Sequence, residues 1–306
     1  MTRHLLDLND LGPSGIATVA RLAGAASKPL AGASVAMVFE KPSARTRNST
    51  EMAVVDLGGH PVMITDAEVG IDRRETAEDV VRTLACYHRV VAARVNDHQV
   101  LERMRSTLGA ARIDVGLINL LSDRSHPCQA VADVLTLADE HGGAGALSGR
   151  TVTYVGDANN VTVSLAQAML ALGVTIRVAA PKGYQLTSEM VSAIEAFSVD
   201  GAVLAQFEDP SEAAVGADAL YTDVWVSMGQ EAEAEVRRRD LAAYTIDQHL
   251  VDLAAPDAIV MHCLPAHRGE EISHDVLEGP SSRVWRQAAH RRTAMRGVLR
   301  WIMGED

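Results

Sequence analysis

Runs of four to seven apolar, often β-branched residues recur along the chain. Each is followed by a polar loop and then by a stretch of amphipathic character. In the first half these runs predict strands at Ser34–Phe39, Pro61–Thr65, Val90–Val95 and Val115–Leu121. The stretches between predict helices at about Thr46–Leu57, Glu75–Tyr87, Asp97–Ser106 and Pro127–Glu140. The segment His141-Gly142-Gly143-Ala144-Gly145-Ala146, the most glycine-rich of the chain, reads as an interdomain joint. Beyond it the alternation restarts, with strands predicted at Thr151–Val155, Thr175–Ala179, Val203–Phe207, Ala219–Thr222 and Ala258–Leu264 and a last helix at about Ser282–Met303. Strand–helix alternation with short connections predicts parallel sheets. The expected fold class is α/β: two domains of similar size, each a mostly parallel sheet flanked by helices. No internal repeat or low-complexity tract interrupts the pattern.

Composition narrows the function classes. The 306 residues are 47% hydrophobic and 22% charged, an ordinary globular mixture long enough for two domains. Lys+Arg number 28 against 40 Asp+Glu, for a formal net charge of −12. Such a balance argues against nucleic acid and against anionic membrane surfaces as partners, although a local basic pocket for a small anion stays open. No apolar run of about 18 residues predicts a membrane span, and the N-terminus lacks the long apolar core of a signal peptide. Cys86, Cys128 and Cys263 are far apart and form no C-x-x-C pair. Neither a disulfide framework nor a zinc knuckle is expected, and a cytoplasmic location fits. Only Lys28, Lys41 and Lys182 among the 28 basic residues are lysines, so any anion site is expected to use guanidinium forks.

In open parallel sheets ligands bind beyond the carboxyl ends of strands, and the loops there carry the candidate chemistry. Phe39-Glu-Lys-Pro-Ser43-Ala44-Arg45-Thr46-Arg47 leaves a strand and opens a helix. It combines hydroxyls, guanidiniums and the free N–H groups of a first helical turn, the ingredients of a phosphate site. An ordinary serine N-cap followed by exposed arginines reads equally well from these residues alone. Arg94 ends a strand, and His126-Pro127-Cys128-Gln129 opens a helix with proline in its first turn. Taken singly they read as a solvated arginine and a capping histidine. In the second half, Gly156-Asp-Ala-Asn-Asn160, Asp223-Val-Trp-Val-Ser227-Met228-Gly229 and His262-Cys263-Leu264-Pro265 also follow strands. A glycine turn with amides suits a carboxylate or simply an Asx turn. An aspartate at a strand end suits an ammonium group. His262 and His267 are spaced i, i+5 with Pro265 between them and no evident third ligand, so no metal site is expected.

Together these elements resemble the aspartate/ornithine transcarbamoylase family, collinearly from about Arg3 to Trp301. F-x-K-x-S-x-R-T-R is similar to its carbamoyl-phosphate signature, and H-P-x-Q to the element that holds the carbamoyl group. G-D-x-N-N, D-x-W-x-S-M-G and H-C-L-P resemble the ornithine branch. The resemblance implies a carbamoyl-phosphate-binding domain at 1–141, on which a C-terminal helix at about 286–306 packs back, and an amino-acid-binding domain at 142–285. It implies carbamoyl-phosphate contacts from Ser43, Ala44, Arg45, Thr46, Arg94, His126, Gln129, Cys263, Leu264 and Arg291. It implies ornithine contacts from Asn160, Asp223, Ser227 and Met228, with Arg45, His126, Cys263 and Asp223 as catalytic residues. The implied reaction moves the carbamoyl group of carbamoyl phosphate to the δ-amine of L-ornithine, giving L-citrulline and phosphate for arginine biosynthesis. No cofactor is implied, a homotrimer is, and domain closure would exclude water from the labile acyl phosphate.

Three departures leave alternatives open. Ala44 stands where the family has a threonine hydroxyl. Asp66–Arg74 contains no glutamine where the family has one that reaches a neighbouring subunit, and Arg73 or Arg74 are candidate replacements. Ala289-His290 replaces the Glu-Asn pair before Arg291. A different amino-acid or diamine acceptor, or a catalytically impaired binding paralogue, remain the rival readings.

Overall fold

The structure is a computed structural model that describes residues 2–226 and 230–306. The chain divides into two compact units, Met1–Ala132 with Ala289–Asp306, and Asp133–Ala288. Both divisions fall inside helices, Pro127–His141 and Val284–Ile302.

The first unit is built on strands β1 (His4–Leu5), β2 (Ser34–Phe39), β3 (His60–Thr65), β4 (Val90–Arg94) and β5 (Gly116–Leu121). Their order is β1-β5-β4-β2-β3, and every pairing is parallel. β4 is buried along its whole length and β2 after its first residue. Uninterrupted runs such as Val-Ala-Met-Val-Phe are what a strand covered on both faces requires. The amphipathic helices supply the cover. Val80, Val81 and Leu84 of Ala77–Ala85 join Leu101, Met104 and Leu108 of His98–Ala110 against Ala36, Val38, Val91 and Leu117 of the sheet. Arg300, 2% exposed, spends its fork on the chain after helix Gly12–Leu22, donating to the carbonyls of Leu22 at 3.0 Å and Ser27 at 2.9 Å.

The second unit carries β6 (Thr151–Val155), β7 (Thr175–Ala179), β8 (Leu204–Phe207), β9 (Ala219–Thr222) and β10 (Ile259–His262). Their order is β10-β9-β6-β7-β8, again all parallel. Val155, Ala179, Leu220 and Val260 of this sheet share a core with Leu250, Ile272, Val276 and Val284. The expected class, two parallel sheets flanked by helices, is the class observed. Among the described residues no helix is long and apolar enough to cross a membrane.

Each sheet has one point where the chain reverses its direction of growth. From β2 it moves outward to β3 and then returns to β4 on β2's other side; from β6 it moves out through β7 and β8, then returns to β9 on β6's other side. The loops leaving β2 and β4, and those leaving β6 and β9, therefore diverge and open a crevice. The structure trims the predicted strands at Val90–Val95, Val115–Leu121 and Val203–Phe207 by one residue each, and shortens the last most: β10 runs Ile259–His262 rather than Ala258–Leu264. Leu264 adopts φ +62°, followed by a cis peptide to Pro265. That left-handed conformation, roughly 1 kcal/mol unfavourable for a non-glycine residue, cannot continue a strand.

Candidate active site

In the first unit the chain leaving β2 reaches Ser43, whose extended backbone (φ −154°) makes it the N-cap of helix Ala44–Asp56. Its Oγ accepts the Thr46 N–H at 3.4 Å and donates to Thr46 Oγ1 at 3.1 Å. Thr46 Oγ1 also accepts from Arg291 Nη2 at 3.2 Å, which leaves the Thr46 hydroxyl proton to donate elsewhere. The other arm of Arg291 donates to Gln129 Oε1 at 2.5 Å. Ala44 and Arg45 are exposed at the helix start, where backbone N–H groups have no helical partner. Arg47 is exposed as well, and its Nε donates to Glu51 at 2.9 Å, a surface pair one turn away.

Arg94, the last residue of β4, is 6% exposed, and His126, Gln129 and Arg291 are likewise buried. Burial, and then the nearby Arg291 and Arg45 guanidiniums, lower Arg94 to about 10. The same setting holds His126 well below the usual histidine range, through burial first and then Arg291 and Arg94. Its imidazole is therefore neutral near pH 7 and offers one N–H. The Arg291 and Arg45 guanidiniums are close enough to Arg94 to disfavour its charge, a tension that a bound dianion would relieve. Cys128, in the first turn of helix Pro127–His141, is buried, and burial pushes its thiol up to about 12.

In the second unit, Asn159 caps helix Asn160–Leu170, accepting the Val161 N–H at 2.9 Å. Its Nδ2 donates to Asp223 Oδ2 at 3.1 Å, across the point where β6 and β9 part. Asp223 Oδ1 accepts from Cys263 Sγ at 2.9 Å and from the Val224 N–H at 2.8 Å. Asn160 is the first helical residue and half-buried. Ser227 and Met228 lie outside the described residues.

The loop carrying Cys263 and Leu264 is held from behind. The Leu264 N–H donates to His262 Nδ1 at 2.8 Å, so that nitrogen carries no proton. The proton sits on Nε2, which donates to Glu271 Oε1 at 2.9 Å. Glu271, fully buried, also accepts the His267 N–H at 2.6 Å. Gln287 accepts the His262 N–H at 2.8 Å and donates to Asp133 at 2.7 Å and to Tyr221 Oη at 3.2 Å. Among the described residues, two groups of metal-capable side chains, Asp223–His262–Cys263 and His267–Glu270–Glu271, gather within 4.8 Å. In the first, both ring nitrogens of His262 and the Cys263 thiol are already engaged within the protein.

Residue-by-residue reading of the sequence missed Glu271, Asp133, Tyr221 and the second role of Asn159. Glu271 sits in His-Arg-Gly-Glu-Glu, which looks like surface, and only the fold shows it buried. Arg73 and Arg74 are engaged where they stand: Arg73 pairs with Asp66, and Arg74 donates to the carbonyls of Ala67 at 3.2 Å and Glu68 at 3.1 Å.

Comparison with known proteins matches these two half-sites to two named domains. Residues 3–139 match the profile "Aspartate/ornithine carbamoyltransferase, carbamoyl-P binding domain", and residues 148–302 match "Aspartate/ornithine carbamoyltransferase, Asp/Orn binding domain". An ornithine carbamoyltransferase of Acidothermus cellulolyticus is 45% identical, over 99% of this chain and 97% of that relative. An anabolic ornithine carbamoyltransferase of Pyrococcus furiosus is 41% identical, over 99% of this chain and 96% of its own. The solved structure of the ornithine carbamoyltransferase from Pyrococcus furiosus superposes with a TM-score of 0.91 at 41% identity, covering 100% of this chain and 98% of that one. Parallel sheets, strand-end loops and full-length similarity agree: the chain belongs to the aspartate/ornithine carbamoyltransferase family.

Proposed function

We propose that this protein is an ornithine carbamoyltransferase, moving the carbamoyl group of carbamoyl phosphate to the δ-amine of L-ornithine and releasing L-citrulline and phosphate. The observation that carries the acceptor is the Cys263–Asp223–Asn159 constellation at the ends of β10, β9 and β6. A thiol and a carboxylate in contact suit an amine that must arrive, or become, uncharged.

The first unit binds carbamoyl phosphate. The helix start at Ser43–Thr46 and the guanidiniums of Arg45, Arg94 and Arg291 take the phosphate, while the His126 N–H and Gln129 address the carbamoyl group. The second unit binds ornithine through Asn160, Asp223, Ser227 and Met228. The amine lone pair attacks the carbonyl carbon, the bond from that carbon to the phosphate oxygen breaks, and phosphate leaves with both bonding electrons. The carbonyl oxygen gains charge on the way, and fixed donors aimed at it lower the barrier without moving a proton. His126, neutral throughout, is such a donor, and Arg45 is the second. A free alkylamine of this kind titrates near about 10.4, so the Asp223 carboxylate, which already accepts from the Cys263 thiol, serves by taking its proton. Cys263 and Leu264 border the carbamoyl group.

The anabolic name of the Pyrococcus furiosus relative supports a role in arginine biosynthesis, and the three free cysteines support a cytoplasmic location. Association of copies into the homotrimer that the family resemblance implies is supported by exposed apolar side chains on helix Ala44–Asp56, where Met52 is 42% and Val55 51% exposed, beside the edge strand β3. Citrulline formation from carbamoyl phosphate and an acceptor panel tests the reading. Ornithine is expected to turn over fastest. Faster turnover of a diamine such as putrescine moves the acceptor assignment, and absence of citrulline at millimolar substrates overturns the activity.

A further inference from the structure

The loops that carry the amino-acid half-site are tied together by one side chain. Arg237 lies in helix Ala234–Leu241, its side chain 12% exposed. Its Nη1 donates to Asp157 Oδ2 at 2.8 Å, in the loop after β6, and to the Trp225 carbonyl at 3.3 Å, in the loop after β9. Its Nε donates to Glu233 at 3.0 Å. Its guanidinium lies 5.3 Å from the ring centroid of Tyr184, in the loop after β7. A single planar fork thus engages all three loops at the carboxyl ends of β6, β7 and β9.

Each of these attachments sits a short step from a residue assigned to ornithine. Asp157 is buried, and its carbonyl accepts from Tyr154 Oη at 2.8 Å. Two residues on, Asn159 caps the helix that Asn160 opens and donates to Asp223. Trp225 is two residues past Asp223 and 3% exposed. It packs over Gly156, where an added Cβ would meet the indole Cδ1 at 3.7 Å. The Tyr184 carbonyl in turn accepts the Ala158 N–H at 3.0 Å. Removing the fork would leave a buried carboxylate without its cation and free the relative positions of the loops after β6 and β9. Only an arginine fits: its planar donors reach a carboxylate and a carbonyl while its face covers a ring, which a lysine ammonium cannot do.

We propose that Arg237 is a positioning residue for the amino-acid half of the site, setting where Asn160 and Asp223 stand without touching substrate. The proposal rests on the ornithine reading above, and its test separates the two. Wild type, Arg237→Gln, Arg237→Lys, Asp157→Asn and the Asp157→Asn/Arg237→Gln double variant are assayed for citrulline, with KM measured for both substrates. Arg237→Gln is expected to raise the ornithine KM by about 10-fold or more, because small misplacements of binding groups are costly. The carbamoyl phosphate KM is expected to stay within about 2-fold of wild type, since that substrate is bound elsewhere. Arg237→Lys should recover part of the loss, and the double variant should be no worse than Arg237→Gln, because the Asp157–Arg237 pair is already lost in that single variant. A folded Arg237→Gln with the wild-type ornithine KM, or with both KM values raised alike, overturns the proposal. Where Arg237→Gln does not fold, Asp157→Asn decides: a selective rise in ornithine KM supports the assignment and an unmoved one overturns it. A wild-type protein without activity removes the functional reading and the proposal together, whereas an active wild type with unmoved variants removes the proposal alone.

Discussion

Single residues at this site do their work by what burial does to charge. His126 is the clearest case. Its folded form resists protonation through burial and the neighbouring Arg291 and Arg94, whereas the unfolded chain takes up a proton near about 6.5. The unfolded state therefore binds more protons below that pH. Stability is full above about 6.5 and falls as pH drops through it, by up to about 1.4 kcal/mol per pH unit from this residue. Urea melts between pH 5 and 7.5 should show that decline, flattened in His126→Gln; an unchanged slope would refute a neutral His126. Ala44 is a second case. Its methyl group is exposed at the helix start beside Ser43 and Thr46, so Ala44→Thr adds a hydroxyl where the proposed phosphate lies. A lower carbamoyl phosphate KM, by about 3-fold or more, is expected for one added hydrogen bond to a charged group. Residues such as Arg94 and His126 could be picked out from sequence because each sits at a strand end inside a short motif. Glu271 could not, since nothing in a charged surface-like string announces that its carboxylate is buried against His262.

Elements were readable where one physical signal dominated. β2, β6, β7 and β9 occupy the predicted residues, because short apolar, β-branched runs bounded by polar loops mark strands even where a Thr153 or an Arg177 interrupts them. β1 spans two residues and the helix Asp66–Val69 four, too short for any period to show. Helix Ala44–Asp56 begins two residues before the predicted start, because Ser43 supplies the cap. That cap separates stability from binding. Asp is as good an N-cap as Ser, but its charge repels a phosphate. Ser43→Asp is therefore expected to melt within a few degrees of wild type while losing most carbamoyl phosphate affinity. Equal loss of both would mean that Ser43 matters only to the helix.

At the scale of the whole molecule, the net charge of −12 coexists with an arginine cluster proposed above to take a dianion. Inorganic phosphate, the proposed product, should then raise the melting temperature. Saturation at 100 times its dissociation constant corresponds to about 2.7 kcal/mol. The effect should vanish in Arg94→Met, and its persistence there would place the anion elsewhere. The division into two sheets was readable from the restart of strand–helix alternation. The polar network of Asp133, Tyr221 and Gln287 was not, because its members are 88 or more positions apart in the chain except Tyr221 and Gln287, which are 66 apart. The tautomer of His262 also provides a spectroscopic handle on the intact protein. A ring proton facing a carboxylate beyond the reach of water exchanges slowly and resonates far downfield of the amides. One isolated line in a proton spectrum, lost in His262→Gln, would report on the Cys263 loop in the resting protein and follow its response to each ligand without any turnover.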